Sequence, residues 1–162
     1  MTRTSHRLVL GAFAVTAMLL ATTQAAAQAL SAADPRGRWI TASGNLEVEV
    51  APCGPALCGV VTKVLANRSM SREGTEMKPA DASVVGLKVL RDFTPIAPDN
   101  VGGTPTEWTG EIYNRENDKL YRSTLRVSTA AKPEGELLVH NYIGLPLFGK
   151  TQLWQRADGA SR

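Results

Sequence analysis

Histidine is nearly absent from this 162-residue chain, and cysteine is as scarce: two of each occur. His6 falls in a leader segment identified below, so His140 stands alone in the remainder. One histidine excludes a multi-histidine metal site and makes any Ser/His/Asp triad depend on that residue. His140 lies in an alternating run, Leu137 to His140, and reads as an exposed or hydrogen-bonded strand residue. Helical periodicity is also almost missing after the leader, and no second apolar run is long enough to cross a bilayer. A cluster of cations is missing too. The chain holds 18 Lys+Arg against 15 Asp+Glu, with a pI near 9.1, but Arg3 and Arg7 belong to the leader. What remains alternates in sign and forms no phosphate-binding block. Nucleic acid is excluded as a partner.

The leader itself is complete. Arg3 and Arg7 precede an apolar run from Leu8 to Ala21, and small residues follow at alternate positions through Ala25, Ala27 and Ala29. These are the three parts of a cleavable secretory signal, expected over residues 1–27 with cleavage after Ala27 or Ala29. No cysteine follows the signal directly to take a lipid anchor. The protein is therefore expected in the periplasm or secreted, soluble and without stable membrane insertion. A flexible stretch over 28–36, one domain over 37–157 and a tail over 158–162 complete the organisation.

Export into an oxidising compartment makes a disulfide the default for Cys53 and Cys58. Four residues between them are too many for a Cys-x-x-Cys redox site, and two thiolates are too few for structural zinc. The flanking runs Leu46 to Ala51 and Gly59 to Leu65 read as strands, so the bridge closes a hairpin tip.

Period-two alternation dominates the rest. Leu46, Val48 and Val50 alternate with Asn45, Glu47 and Glu49, and Trp108, Gly110 and Ile112 with Glu107, Thr109 and Glu111. Eight strands are predicted: 37–41, 46–51, 59–65, 87–93, 107–113, 119–128, 136–141 and 151–156. Most links are short and turn-rich, which makes successive strands antiparallel neighbours. Two links, 66–86 and 94–105, are longer. With no helix to cover the apolar face, the sheet must curl on itself or pair with a second sheet, and eight strands in up-and-down order favour closure. The fold class expected is an all-β, eight-stranded antiparallel up-and-down barrel, whose interior is either filled by side chains or holds one small ligand.

Several motifs resemble a known family. They are Trp39, Cys53-Gly54-x-x-x-Cys58-Gly59, Gly110-x-Ile112-Tyr113, Lys119-x-Tyr121, and Gly144-x-Pro146-x-x-Gly149-x-Thr151-Gln152-x-Trp154-x-Arg156. Over about Asp34 to Ala157 they look like the bacterial domain-of-unknown-function family twenty-one forty-seven. The resemblance implies a Gram-negative exported protein with a lipocalin-like barrel, and no established activity. Members often carry a third cysteine near the position of Tyr142, and this chain departs there. Gly37-Arg38-Trp39 is similar to the Gly-x-Trp of lipocalin-type barrels, and Arg156 sits on the last strand. First and last strands are neighbours in a closed barrel, so Trp39 and Arg156 are read as a structural end plug, guanidinium over indole.

Carboxylates fall mostly on the polar phase of the strands, where a general acid or base has an ordinary pKa and no closed site. No catalytic residue, metal site or cofactor is expected, and the chain is not read as an enzyme. The aromatics offer more. Trp108 and Tyr121 fall on the interior phase, and with Tyr142 they either pack the core or meet a ligand. The apolar loop Gly144–Gly149, with Leu145 and Phe148, either caps the barrel floor, lines a ligand mouth or presses on a partner. A small hydrophobic or amphipathic ligand bound by Trp108, Tyr121, Tyr142, Leu145 and Phe148 is the leading expectation. An interaction or inhibitor-type module of the cell envelope is the alternative.

Overall fold

The structure, a computed structural model, describes residues 31–67, 84–96 and 105–157. The leader expected over 1–27, the tail over 158–162 and most of the two long links lie outside the described residues. Eight strands follow in order: β1 (Gly37–Ile40), β2 (Leu46–Cys53), β3 (Ala56–Val64), β4 (Lys88–Pro95), β5 (Glu107–Asn114), β6 (Lys119–Ser128), β7 (Glu136–Tyr142) and β8 (Lys150–Arg156). Each pairs antiparallel with the next, and β1 also pairs with β8, where Trp39 stands opposite Arg156. The sheet is thereby a closed barrel in up-and-down order. Closure leaves no strand edge unpaired, the usual solution for one-sided strands with nothing else to cover them.

Alternation decides which side chains go inside. Along β2, Val48 and Val50 are buried while Glu49 is exposed. Trp39, Val61, Phe93, Leu125, Leu137, Val139 and Trp154 join them in one core. Phe93 reaches into the space that Gly110 leaves on β5: a methyl group there would stand 2.8 Å from the Phe93 ring. A large ring thus packs against a small residue, as close packing of a narrow barrel favours.

One carboxylate departs from the expected pattern. Glu47 belongs to the polar phase, yet only 7% of it is exposed. Arg38 and Lys63, its neighbours on β1 and β3, bring cations to 3.5 and 3.8 Å from its oxygens. Thr62 Oγ1 donates to Glu47 Oε1 at 3.1 Å. Long basic side chains on both flanking strands cover the carboxylate, a packing effect that alternation alone does not report.

The hairpin tip is tighter than the predicted strands implied. β2 runs on to Cys53 and β3 begins at Ala56, so the turn is only Gly54-Pro55. Gly54 has φ 72°, and proline must follow with negative φ; that sign pattern is a type II′ turn. Cys53 and Cys58 form the disulfide across this ladder.

Candidate functional site

The two ends of the barrel differ. One carries the Gly54-Pro55 turn, the β4–β5 and β6–β7 links and the approach to β1; the other carries the remaining links. At the first end, Arg156 lies with its guanidinium 4.0 Å from the Trp39 ring centre. It donates to the carbonyls of Arg36, Asp34 and Glu134 at 2.7, 2.6 and 3.3 Å. Trp39 Nε1 donates to Pro35 O at 2.8 Å. Within the stretch expected to be flexible over 28–36, residues 31–36 lie across this end, and Pro35 is fully buried. The Arg36 guanidinium grips the Asp34 carboxylate. That hydrogen bond, helped by the Arg36 backbone N–H and the charges of Arg36 and Arg156, holds the Asp34 pKa below its ordinary value despite partial burial. This end is a floor.

Among the described residues, the opposite end has no such plug. A cavity of ≈ 470 Å³ lies there, bordered by Ile112, Tyr113, Asn114 and Tyr121 from the β5–β6 hairpin. Asn141, Tyr142, Ile143, Phe148, Lys150 and Gln152 from β7, β8 and their link complete it. Its size falls in the ~300–1,000 Å³ range of small-molecule sites. Beneath it Leu125, Leu137 and Val139 are fully buried.

Polar groups at this end are held in set directions. Ser123, fully buried, donates to Asn141 Oδ1 at 2.8 Å. Asn117 Nδ2 donates to Tyr121 Oη at 2.6 Å, fixing that ring from the β5–β6 turn. Trp154 Nε1 donates to Gln152 Oε1 at 3.3 Å. Tyr113 Oη donates to Asp118 Oδ1 at 2.7 Å. That bond to a carboxylate raises the Tyr113 pKa above its ordinary value.

The β7–β8 link is folded outward. Pro146–Phe148 forms one 3-10 turn, and His140 ties it to the outer wall. Its Nε2 lies 2.8 Å from Pro146 O and its Nδ1 2.9 Å from Thr151 Oγ1. A carbonyl only accepts, so Nε2 carries the proton, and in the neutral ring the Thr151 hydroxyl donates to Nδ1. Tyr142 stands beside His140, with ring centres 5.9 Å apart.

Three of the residues expected to meet a ligand, Tyr121, Tyr142 and Phe148, border the cavity. Trp108 pairs with Leu125 one row deeper and packs against the core. Leu145 is exposed on the outward-turned link and is not part of the lining. Sequence reasoning passed over Ile112, Asn141, Lys150 and Gln152. The cue was present: on β7 the inward series Leu137, Val139 ends in Asn141, and on β8 the inward series ends in Gln152 and Lys150. Polar residues on the apolar phase of two adjacent strands, at the same barrel end, mark a wet interior.

Among the described residues the one cluster of metal-ligand types is Cys53, Cys58 and Asp92. Both its sulfurs are tied up in the disulfide, which leaves no thiolate for a metal. No helix among the described residues is long and apolar enough to cross a membrane.

No curated protein and no solved structure matches this chain. Residues 37–156, the whole barrel from the first strand to the last, match the model of a family described as an uncharacterized protein conserved in bacteria, DUF2147, and the chain belongs to that family.

Proposed function

We propose that this domain is an exported binding module, not an enzyme, and that it holds one small amphipathic molecule in the cavity at the end opposite its floor. The observation that carries this reading is the contrast within one barrel. The lower interior is lined by fully buried apolar side chains such as Leu125, Leu137 and Val139, whereas the upper end combines apolar residues (Ile112, Ile143, Phe148) with a few fixed polar groups (Asn141, Gln152, Tyr121). That mixture is what orients a ligand whose body is apolar and whose head is not. The disulfide supports a periplasmic or secreted location, where such a bridge persists. Native mass spectrometry of protein released gently from the periplasm tests both halves. A co-eluting small mass is expected, and its loss in an Ile112→Lys variant; repeated recovery of bare monomer from the native source overturns the reading.

A second reading, a protein-interaction module of the cell envelope, has one observation in its favour. Leu147 and Phe148 on the β7–β8 link are 85% and 76% exposed, and contiguous apolar surface of this kind marks contact sites. Pull-down from envelope extract separates the readings: a stoichiometric protein lost on Leu147→Ser supports this one, and monomer alone rejects it.

A further inference from the structure

One cross-strand row of the barrel is unlike the rows beneath it. Gly110, Ser123, Asn141 and Lys150 stand side by side on β5 to β8. The next row down holds Trp108, Leu125, Val139 and Gln152. The first row lies where apolar core gives way to cavity, and its hydrogen bonding is one-sided. Ser123 spends its proton on Asn141 Oδ1, which leaves the Asn141 NH₂ to the cavity. Gln152 Oε1 is taken by the Trp154 indole, which leaves its NH₂. Tyr121 Oη accepts from Asn117 and keeps its own proton to give. Asn114 Oδ1 accepts from the Glu116 backbone.

At Asn141, Gln152, Tyr121 and Asn114 an oxygen is engaged within the protein and a donor remains, whereas Tyr113 has spent its proton on Asp118. Lys150 ends the row with three more N–H groups and makes no hydrogen bond or ion pair with a described residue. Among the described residues, no carboxylate lines the cavity. Such a wall satisfies a group that only accepts, and a negative charge best of all. Ile112, Ile143 and Phe148 also border the cavity and offer no polar side-chain atom.

We infer that the molecule bound here is an amphiphile with an anionic oxygen head, a carboxylate or a phosphate monoester, set against Asn141, Gln152 and Lys150 with its hydrocarbon along Ile112 and Phe148. This inference rests on the cavity being a binding site, and the test keeps the two apart. Binding of four ten-carbon probes below their micellar concentrations is measured by isothermal titration calorimetry: decanoate, decyl phosphate, decanol and decyltrimethylammonium. The wild-type protein is compared with Lys150→Gln and Asn141→Asp, each checked for native circular dichroism.

Decanoate, decyl phosphate or both bind at least about tenfold tighter than decanol, as expected when a charge-assisted hydrogen bond is gained at a partly wet site. The two anions, compared with each other, tell a carboxylate head from a phosphate one. Lys150→Gln brings that preference close to unity. Asn141→Asp keeps the Ser123 bond but places a negative charge at the head position, and lowers anion binding by a larger factor than decanol binding. Equal binding of decanol and both anions, or an anion preference that survives Lys150→Gln, overturns the inference and leaves the binding site standing. Failure of all four probes overturns the site itself, and the inference with it.

Discussion

Arg156, on the last strand, lies flat over the ring of Trp39, on the first, at 4.0 Å from the ring centre. The same guanidinium reaches three backbone carbonyls, so it joins β8, the approach to β1 and the β6–β7 link in one contact. Arginine suits this position because its planar fork stacks and donates at once. Arg156→Ala is expected to cost about 2 kcal/mol, from the lost cation–π contact and the carbonyls left wanting. Arg156→Lys recovers less than half of that. Urea denaturation of the three proteins checks it.

Asp34 makes the floor sensitive to acid. Its folded pKa is depressed, chiefly by the Arg36 hydrogen bond, so its contribution is present above the unfolded carboxylate value of about 3.9 and fades as pH falls through the lower folded one. Asp34→Asn therefore lowers stability at pH 7, and the gap between the two proteins closes on acidification below about pH 4. Denaturation midpoints measured from pH 7 to pH 3 reveal the convergence. A constant gap refutes the assignment.

Reducing the Cys53–Cys58 bridge removes a short-loop constraint worth roughly 2 kcal/mol. The bridge sits at the end away from the cavity, so a Cys53→Ser/Cys58→Ser double variant should melt earlier yet bind any cavity probe as before. Thermal melts with and without reductant, beside a binding isotherm, measure both parts.

His140 holds the outward-turned link by two bonds. His140→Ala is expected to speed amide exchange over 144–149 while costing only about 1 kcal/mol globally. Gly149→Ala should reproduce the local effect by another route, because a methyl group at Gly149 would run into the His140 ring. Hydrogen exchange read by mass spectrometry compares them. Unchanged exchange in both variants discards the latch.

Much of the barrel was legible because period two is a strong signal when one face must be dry. Val48 and Val50 against Glu49, and Leu125 against Arg126, name their faces outright. The closing pair was legible as well, since a Trp near the start and an Arg near the end become neighbours once the sheet shuts. Glu47 was not, because its burial comes from Arg38 and Lys63 lying over it and not from its own phase. The cavity was read only in part. Aromatic rings drew attention to Tyr121 and Phe148, but also to Trp108, which register places in the packed interior beside Leu125. Asn141, Gln152 and Lys150 went unnoticed because each is an ordinary surface residue by type. Their phase on β7 and β8 could be read from the alternation, but the row they share with Ser123 and Gly110, or adjoin, comes only from the strand register.

The floor is assembled from opposite ends of the chain: Arg156 meets carbonyls 120 and 122 residues before it. Nothing synthesised earlier can stand in for it. A chain lacking β8 has seven strands and cannot close, so β1 and β7 each keep one bare margin able to pair with another strand. The seven residues of β8 are thus what pairs both margins and shuts the wall of the barrel. Chains truncated before Lys150 should accumulate as aggregates, not as smaller barrels.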